Sequence, residues 1–164
     1  MMIRDAVNED LPDLLRIYND AIAKSTATFD TSQLTLEERA VWFSHYGGPH
    51  PLLVSEEDGK VTGYGSLSRF RDKDGFARTV EISIYVDESW RGKGIGKALL
   101  QELLRRGKEL GHHVVVAGIT GGNEVSTNLH KAHGFQHVGR FREVGHKFGE
   151  WQDVDFYQLI LPNE

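Results

Sequence analysis

The residues best suited to hold a charged ligand are Arg91-Gly92-Lys93-Gly94-Ile95-Gly96. Three glycines in so short a stretch let the backbone bend sharply and approach a ligand closely. The stretch lies between a strand pattern and a helical stripe. Its amides therefore fall at a helix start, where N–H groups are unpaired and the helix dipole favours negative charge. Arg91, Lys93 and Lys97 add positive side chains, and the whole suits a pyrophosphate. A P-loop would need a glycine five residues before the Gly-Lys pair and a hydroxyl after it, where Arg91 and Ala98 stand. A dinucleotide fingerprint would need G-x-G-x-x-G, but the spacing is G-x-G-x-G with Lys97 in place of the third glycine. Taken alone, the motif also fits a flexible turn with solvated charges. The eight histidines give no metal signature. His112 and His113 are adjacent, and no carboxylate joins His130 and His133 at ligand spacing.

The elements that must position this turn follow from hydrophobic spacing. Thr79 to Val86 alternates, with Val80, Ile82, Ile84 and Val86 on one face and Glu81, Ser83 and Tyr85 on the other. A helix from about Gly96 to Leu110 carries the stripe Ile95, Leu99, Leu100, Leu103 and Leu104, and Gly111 ends it. Upstream, Ile3 to Val7 reads as a strand. Asn8 then caps a helix with Leu11, Leu14, Leu15, Tyr18 and Ile22 at helical spacing, and Pro12 is harmless in its first turn. Thr35-Leu36-Glu37-Glu38 is a capping box opening a helix through Trp42 and Phe43. Gly47 to Pro51 is loop. Leu52 to Ser55 and Lys60 to Leu67 form a hairpin through Glu57-Asp58-Gly59, and Arg69 to Gly75 is turn-like. Val114 to Ile119 is a buried strand, Asn123 to His133 a helix closed by Gly134, and Val154 to Leu161 the last strand. The mixture makes the chain α/β or α+β with a mixed sheet.

Composition bounds the chemistry. The 164 residues suit one domain with a sizeable core. The absence of cysteine excludes a disulfide framework, a thiol nucleophile and a thiolate metal site, and fits a reducing compartment. The start has no apolar core like that of a secretory signal, and no apolar run is long enough for a bilayer. With 19 basic and 24 acidic residues, a net charge of −5 gives no bulk attraction to nucleic acid or anionic membrane.

Arg91-x-x-Gly94-x-Gly96, after the strand end Ile84-Tyr85-Val86-Asp87, resembles the coenzyme A pyrophosphate loop of the GNAT superfamily of N-acetyltransferases, whose pattern is (Arg/Gln)-x-x-Gly-x-(Gly/Ala). Asn123 and Gly134-Phe135 open and close the later helix as the family's Asn…Gly-Phe segment does. Further pieces narrow the resemblance: Thr26-Ala27-Thr28-Phe29-Asp30, Phe70-Arg71, Gly75-Phe76, Thr79-Val80-Glu81, Leu129-His130 and Gly145-His146-Lys147-Phe148-Gly149-Glu150-Trp151. Together they look like the phosphinothricin and methionine sulfoximine acetyltransferase group. The resemblance implies one GNAT domain over residues 1–164, with a mixed, mostly antiparallel central sheet of about seven strands flanked by helices. It implies acetyl-CoA as co-substrate, no metal, a small amino acid or analogue acetylated on its α-amine, a cytoplasmic location and a homodimer. Another amine acceptor (a protein N-terminus, a polyamine, an aminoglycoside) or a non-catalytic coenzyme A-binding module are the alternatives. Three positions depart from the group: His133 where relatives carry an apolar residue, Phe70 for Trp, and Lys73 for Phe.

The resemblance also implies roles. Ile84, Tyr85, Val86, the turn from Arg91 through Gly92, Lys93, Gly94, Ile95 and Gly96 to Lys97, and then Asn123 and Ser126 are expected to bind the cofactor. Glu81 is the candidate general base for an α-amine that is largely protonated at neutral pH. His130 stands where superfamily members place a proton-donating tyrosine, and is equally well read as a surface helix histidine. Phe29, Arg71, Asp72, Lys73, Glu81, Ile82, Ser83 and Lys147 are expected around the acceptor. Arg71 would pair with a carboxylate, and Lys147 would either reach the substrate across a dimer interface or lie on the surface.

Overall fold

The computed structural model describes residues 1–162; Asn163 and Glu164, the end of the expected domain, lie outside the described residues. The chain forms β1 (Met2–Asp5), α1 (Leu11–Lys24), α2 (Leu36–Phe43), β2 (Leu52–Glu57), β3 (Lys60–Arg69), β4 (Thr79–Val86), α3 (Ile95–Glu109), β5 (Val114–Thr120), α4 (Glu124–Ala132), β6 (Gln136–Lys147) and β7 (Glu150–Ile160). They build a 7-stranded sheet of order β1-β2-β3-β4-β5-β7-β6. Neighbours are antiparallel throughout except β4 and β5, which run parallel. The mixed, mostly antiparallel sheet expected from the resemblance is therefore present.

Each face of the sheet carries its own core. On one, the apolar stripe of α3 packs Ile95, Leu99, Leu100 and Leu103 against Leu53, Leu67, Val80, Ile82, Val115 and Ala117. A Leu99→Ala change there would cost about 2–5 kcal/mol. On the other, Leu14 and Ile17 of α1 meet Leu52, Val54 and Tyr64. The strict alternation of β4 divides these layers, sending Val80 and Ile82 into the α3 core and Glu81, Ser83 and Tyr85 to the α1 face.

Several local expectations hold and others change. The capping box forms: Thr35 Oγ1 accepts from the Glu38 amide at 3.1 Å, and Glu38 accepts from the Thr35 amide at 3.1 Å. Asn8 is not the helix cap. It opens a single 3-10 turn, Asn8–Asp10, and α1 begins after Asp10. The Asp10 carboxylate turns back to the Val7 amide and to Arg4, both at 2.8 Å. β1 stops at Asp5, β7 begins four residues before the expected Val154, and β6 was not expected as a strand.

Candidate active site

The feature that makes a site is a break between parallel neighbours. β4 and β5 pair only at Thr79↔Val114, Val80↔Val115 and Glu81↔Val116. Beyond this, β4 stays with β3 as far as Val86, while β5 stays with β7 as far as Thr120. A gap opens between them, with Glu81 at its apex. The Asp87 amide donates to the Thr62 carbonyl at 2.9 Å, continuing the register of β3 and β4. Antiparallel bonding alternates, so the odd-numbered residues of β4 bond β3. The amides of Ile84 and Val86 therefore face the gap. Ile82 is corrected as an acceptor contact: its side chain is buried in the α3 core, and only its backbone borders the gap.

The glycine-rich turn lies at the open end. Gly92 and Gly94 have φ of 75° and 79°, the left-handed region that costs a side chain about 1–2 kcal/mol. The first helical bond of α3 runs from the Ala98 amide to the Gly94 carbonyl, at 3.0 Å. Gly94 in the cap position has no side chain to satisfy the amides of Ile95, Gly96 and Lys97, which point outward at a positive helix end. Arg91, Lys93 and Lys97 are exposed around them, with the Lys93 ammonium 4.5 Å from the Trp90 ring centre. The Ile95 side chain is buried in the core, so only its amide can serve a ligand. A Cβ on Gly96 would lie 3.8 Å from Leu129 and 3.9 Å from Val86, so the α3 start is seated between β4 and α4. Because β4 and β5 are parallel, α3 and α4 both start at this end. Asn123 caps α4, its Oδ1 accepting from the Ser126 amide at 3.3 Å.

On the α1 face, Glu81 is half-buried beside Ser68 and Val116. Burial pushes its carboxyl above the ordinary range, and the charge of Arg71 opposes this. Arg71 itself is exposed on the loop after β3. Its guanidinium lies 4.3 Å over the Phe70 ring, which in turn packs edge-on against Phe76. Asp72 and Lys73 are exposed on the same loop. Ser83 lies opposite Ser66, and Tyr85 stacks on Tyr64 with ring centres 5.3 Å apart. Phe29 lies against β6 where Gly145 leaves room; a Cβ there would come within 2.8 Å of three Phe29 ring carbons.

Two expected site residues have other work. Lys147 is neither on the surface nor free to reach a ligand. It is 4% exposed, and its ammonium donates to the carbonyls of Ser25 at 2.8 Å and Thr28 at 2.9 Å. His130 is buried, with Nδ1 2.7 Å from the Ser126 carbonyl and its ring edge-on to Phe135. A carbonyl only accepts, so Nδ1 carries the proton and spends it there. Burial pushes the imidazole below its ordinary value. Burial and the bond to Ser126 both turn the ring toward a structural role. His133 does not disturb the helix end. Its Nδ1 donates to the Leu129 carbonyl at 2.8 Å, and its Nε2 accepts from Gln101 at 3.2 Å, tying α4 to α3.

Sequence reasoning missed the support beneath Tyr85. Arg39 is 3% exposed, its guanidinium 3.3 Å from the Trp42 ring centre and 4.2 Å from that of Tyr18, while Nη2 donates to Tyr64 Oη at 2.6 Å. Desolvated cation–π contacts of this kind are worth about 2 kcal/mol. In the sequence, Arg39 follows two glutamates on a short helix and reads as a solvated charge.

The sheet split, the half-buried Glu81 and the glycine-rich helix start stand where the resemblance to N-acetyltransferases leads one to expect a site. Residues 14–135 match the Acetyltransferase (GNAT) family, and the chain belongs to it. It is 45% identical over 161 residues to the L-methionine sulfoximine/L-methionine sulfone acetyltransferase of Pseudomonas aeruginosa, covering 97% of this chain and 94% of that one. It is 38% identical to the phosphinothricin N-acetyltransferase of Streptomyces coelicolor, covering 98% and 96% respectively. Among solved structures it resembles a putative acetyltransferase from Salmonella typhimurium with its cofactor acetyl-CoA. That likeness has a TM-score of 0.96 at 39% identity, and covers 100% of this chain and 95% of the other. No helix among the described residues is long and apolar enough to cross a membrane.

Proposed function

We propose that the chain, acting as one catalytic domain in a homodimer, uses acetyl-CoA to acetylate the α-amine of a small amino acid or analogue of the methionine sulfoximine, methionine sulfone or phosphinothricin type. The observation that carries this reading is the half-buried Glu81 at the apex of a gap bordered by free amides. The amides of residues 92–97, with Arg91, Lys93 and Lys97, would hold the pyrophosphate. The edge from Ile84 to Val86 would border the pantetheine arm, with Asn123 and Ser126 flanking it. The acyl thioester is the activated acetyl donor when bound.

Glu81 takes a proton from the incoming ammonium. The freed nitrogen bonds the acetyl carbon, the carbon–sulfur bond breaks with its electron pair on sulfur, and the second amine proton leaves with the thiolate through solvent. An amide of Ile84 or Val86 faces the thioester oxygen as charge develops there. Burial of Glu81 brings its affinity for a proton closer to working pH, which suits a general base. Arg71 pairs with the acceptor's carboxylate, and Phe29 and Ser83 wall its side chain. Arg69 and Arg71 disfavour polyamine and aminoglycoside acceptors.

Support for the homodimer comes from β6, the outermost strand. Val138, Phe141 and Val144 on it, with Phe148 in the turn and Trp151 on β7, are all more than half exposed. An apolar edge of this kind ordinarily has a partner. The test is a thiol-release assay with acetyl-CoA and methionine sulfoximine, methionine sulfone, phosphinothricin, spermidine and an alanine-terminated peptide. The first three should exceed the others in kcat/KM by about tenfold or more, the lower end of what a substrate pocket discriminates. Equal or reversed preference would overturn the substrate assignment.

A further inference from the structure

The segment between α1 and α2 crosses the acceptor face of the sheet at the mouth of the gap. Four of its carbonyls in a row are held by side chains of three different strands. Lys147 of β6 donates to Ser25 and Thr28. Thr120, the last residue of β5, donates to the Thr26 carbonyl at 2.7 Å. Tyr85 of β4 donates to the Ala27 carbonyl at 3.3 Å. Connecting segments ordinarily leave such carbonyls to water. Here Tyr85 and Thr120 stand on opposite lips of the gap, each four residues beyond the last β4–β5 pair, Glu81↔Val116. The segment therefore bridges the two strands where they no longer bond each other.

Burying the Lys147 ammonium for this bridge carries a desolvation cost. Lys147 is 4% exposed and its ammonium is bonded by carbonyls, with no carboxylate among the described residues hydrogen-bonded to it, and so loses much of its hydration, a loss that the charge of Asp30 partly opposes. The next residue after the bridge is Phe29, whose ring is seated on Gly145 two residues before Lys147. One short segment thus joins both lips of the gap to the wall of the acceptor pocket.

We propose that Ser25–Thr28 is a strap that sets the width of the gap on its acceptor side, making Thr120 and Lys147 positioning residues that determine which acyl chain length the enzyme transfers. This rests on the gap being the seat of the pantetheine arm and thioester. A strap tied to both lips limits how far they part, and so limits the room for an acyl chain longer than acetyl. Releasing the Thr26 carbonyl from β5 lets the strap rise and admits an extra methylene.

The test uses the full chain and Thr120→Val, Thr120→Ser and Lys147→Met variants. Two readouts are taken: amide hydrogen exchange at residues 26–29 with and without coenzyme A, and kcat/KM for acetyl-CoA against propionyl-CoA with one amino acid. An added methylene in a closed pocket is worth about 10–200-fold. Thr120→Val should narrow the wild-type preference for acetyl by about fivefold or more. It should also remove the exchange protection that coenzyme A confers on the strap, with a melting shift of about 2–4 °C. Thr120→Ser, which keeps the hydroxyl, should match wild type in both readouts. Lys147→Met should act like Thr120→Val, and serves if the latter folds poorly. A working wild type whose Val and Met variants keep its acyl preference and strap exchange would overturn the strap alone. A wild type that neither transfers acetyl nor changes exchange with coenzyme A would overturn the seat of the cofactor and the strap with it.

Discussion

Glu81→Gln removes one negative charge from the apex of the gap and almost no volume. A positioned general base contributes about 10²–10⁴-fold to such a transfer. Glu81 is half-buried and close enough to the sheet break to meet an incoming amine, so the loss at pH 7 should be about 10²–10³-fold in kcat. The variant must rely on acceptor that has already lost its proton. With an α-amine pKa of about 8, its rate should climb about tenfold from pH 6 to 7 and about fivefold from pH 7 to 8, where wild type stays nearly flat. Stability gives an independent check with a definite sign. The folded-state pKa of Glu81 is raised above its ordinary 4.5, so the fold disfavours the ionised form. The stability associated with its neutral form is fully present below the unfolded pKa and is lost as pH rises through the folded one. The Gln variant should therefore melt at or above wild type at pH 8, and together with it at pH 4. The assays are steady-state kinetics at saturating acetyl-CoA across pH, and thermal melts at the two pH values. A kcat loss under about threefold, or parallel pH profiles, would refute the base assignment.

Arg71→Ala should raise KM for the amino acid by about tenfold, the loss of one charged hydrogen-bonded pair, and leave KM for acetyl-CoA unchanged; equal rises in both would remove its role toward a carboxylate. Gly94→Ala meets no atom within 4 Å but forces φ of 79° on a side chain. It should cost about 1–2 kcal/mol and lower the melting temperature by about 2–8 °C, read by calorimetry. Phe141→Asp on the outer strand should convert a dimer to a monomer in sedimentation equilibrium without lowering the helical signal in circular dichroism; a monomeric wild type would remove the edge-strand interface.

The parts of the fold that were readable are those where one side chain sees one environment. The alternation of Thr79–Val86 gave the strand to the residue, because Val80 and Ile82 face a helix while Glu81 and Ser83 face the other layer. The stripe of α3 and the capping box of α2 were equally direct. β6 was not, since nearly all of its residues are exposed and its pairing slips at His137/Gly139 and Phe141/Gly145, leaving no period to detect. Of the site, the sharp bend of the glycine-rich turn was legible from backbone requirements, and Gly92 and Gly94 do take left-handed φ, but its reading as a pyrophosphate loop came from the family resemblance. The gap was not, because it depends on where β4 and β5 stop pairing, which no local residue type encodes. Lys147 was misread for a related reason: its partners are carbonyls of Ser25 and Thr28, and carbonyl positions leave no mark on a sequence.

The claim on which the rest depends is that the split between β4 and β5, with the helix start at Gly94, seats acetyl-CoA. Isothermal titration of the purified chain with acetyl-CoA measures this directly. One site per chain with Kd of roughly 1–100 μM is expected, within the usual range of enzyme substrates. No saturable binding at about 1 mM ligand would contradict the account.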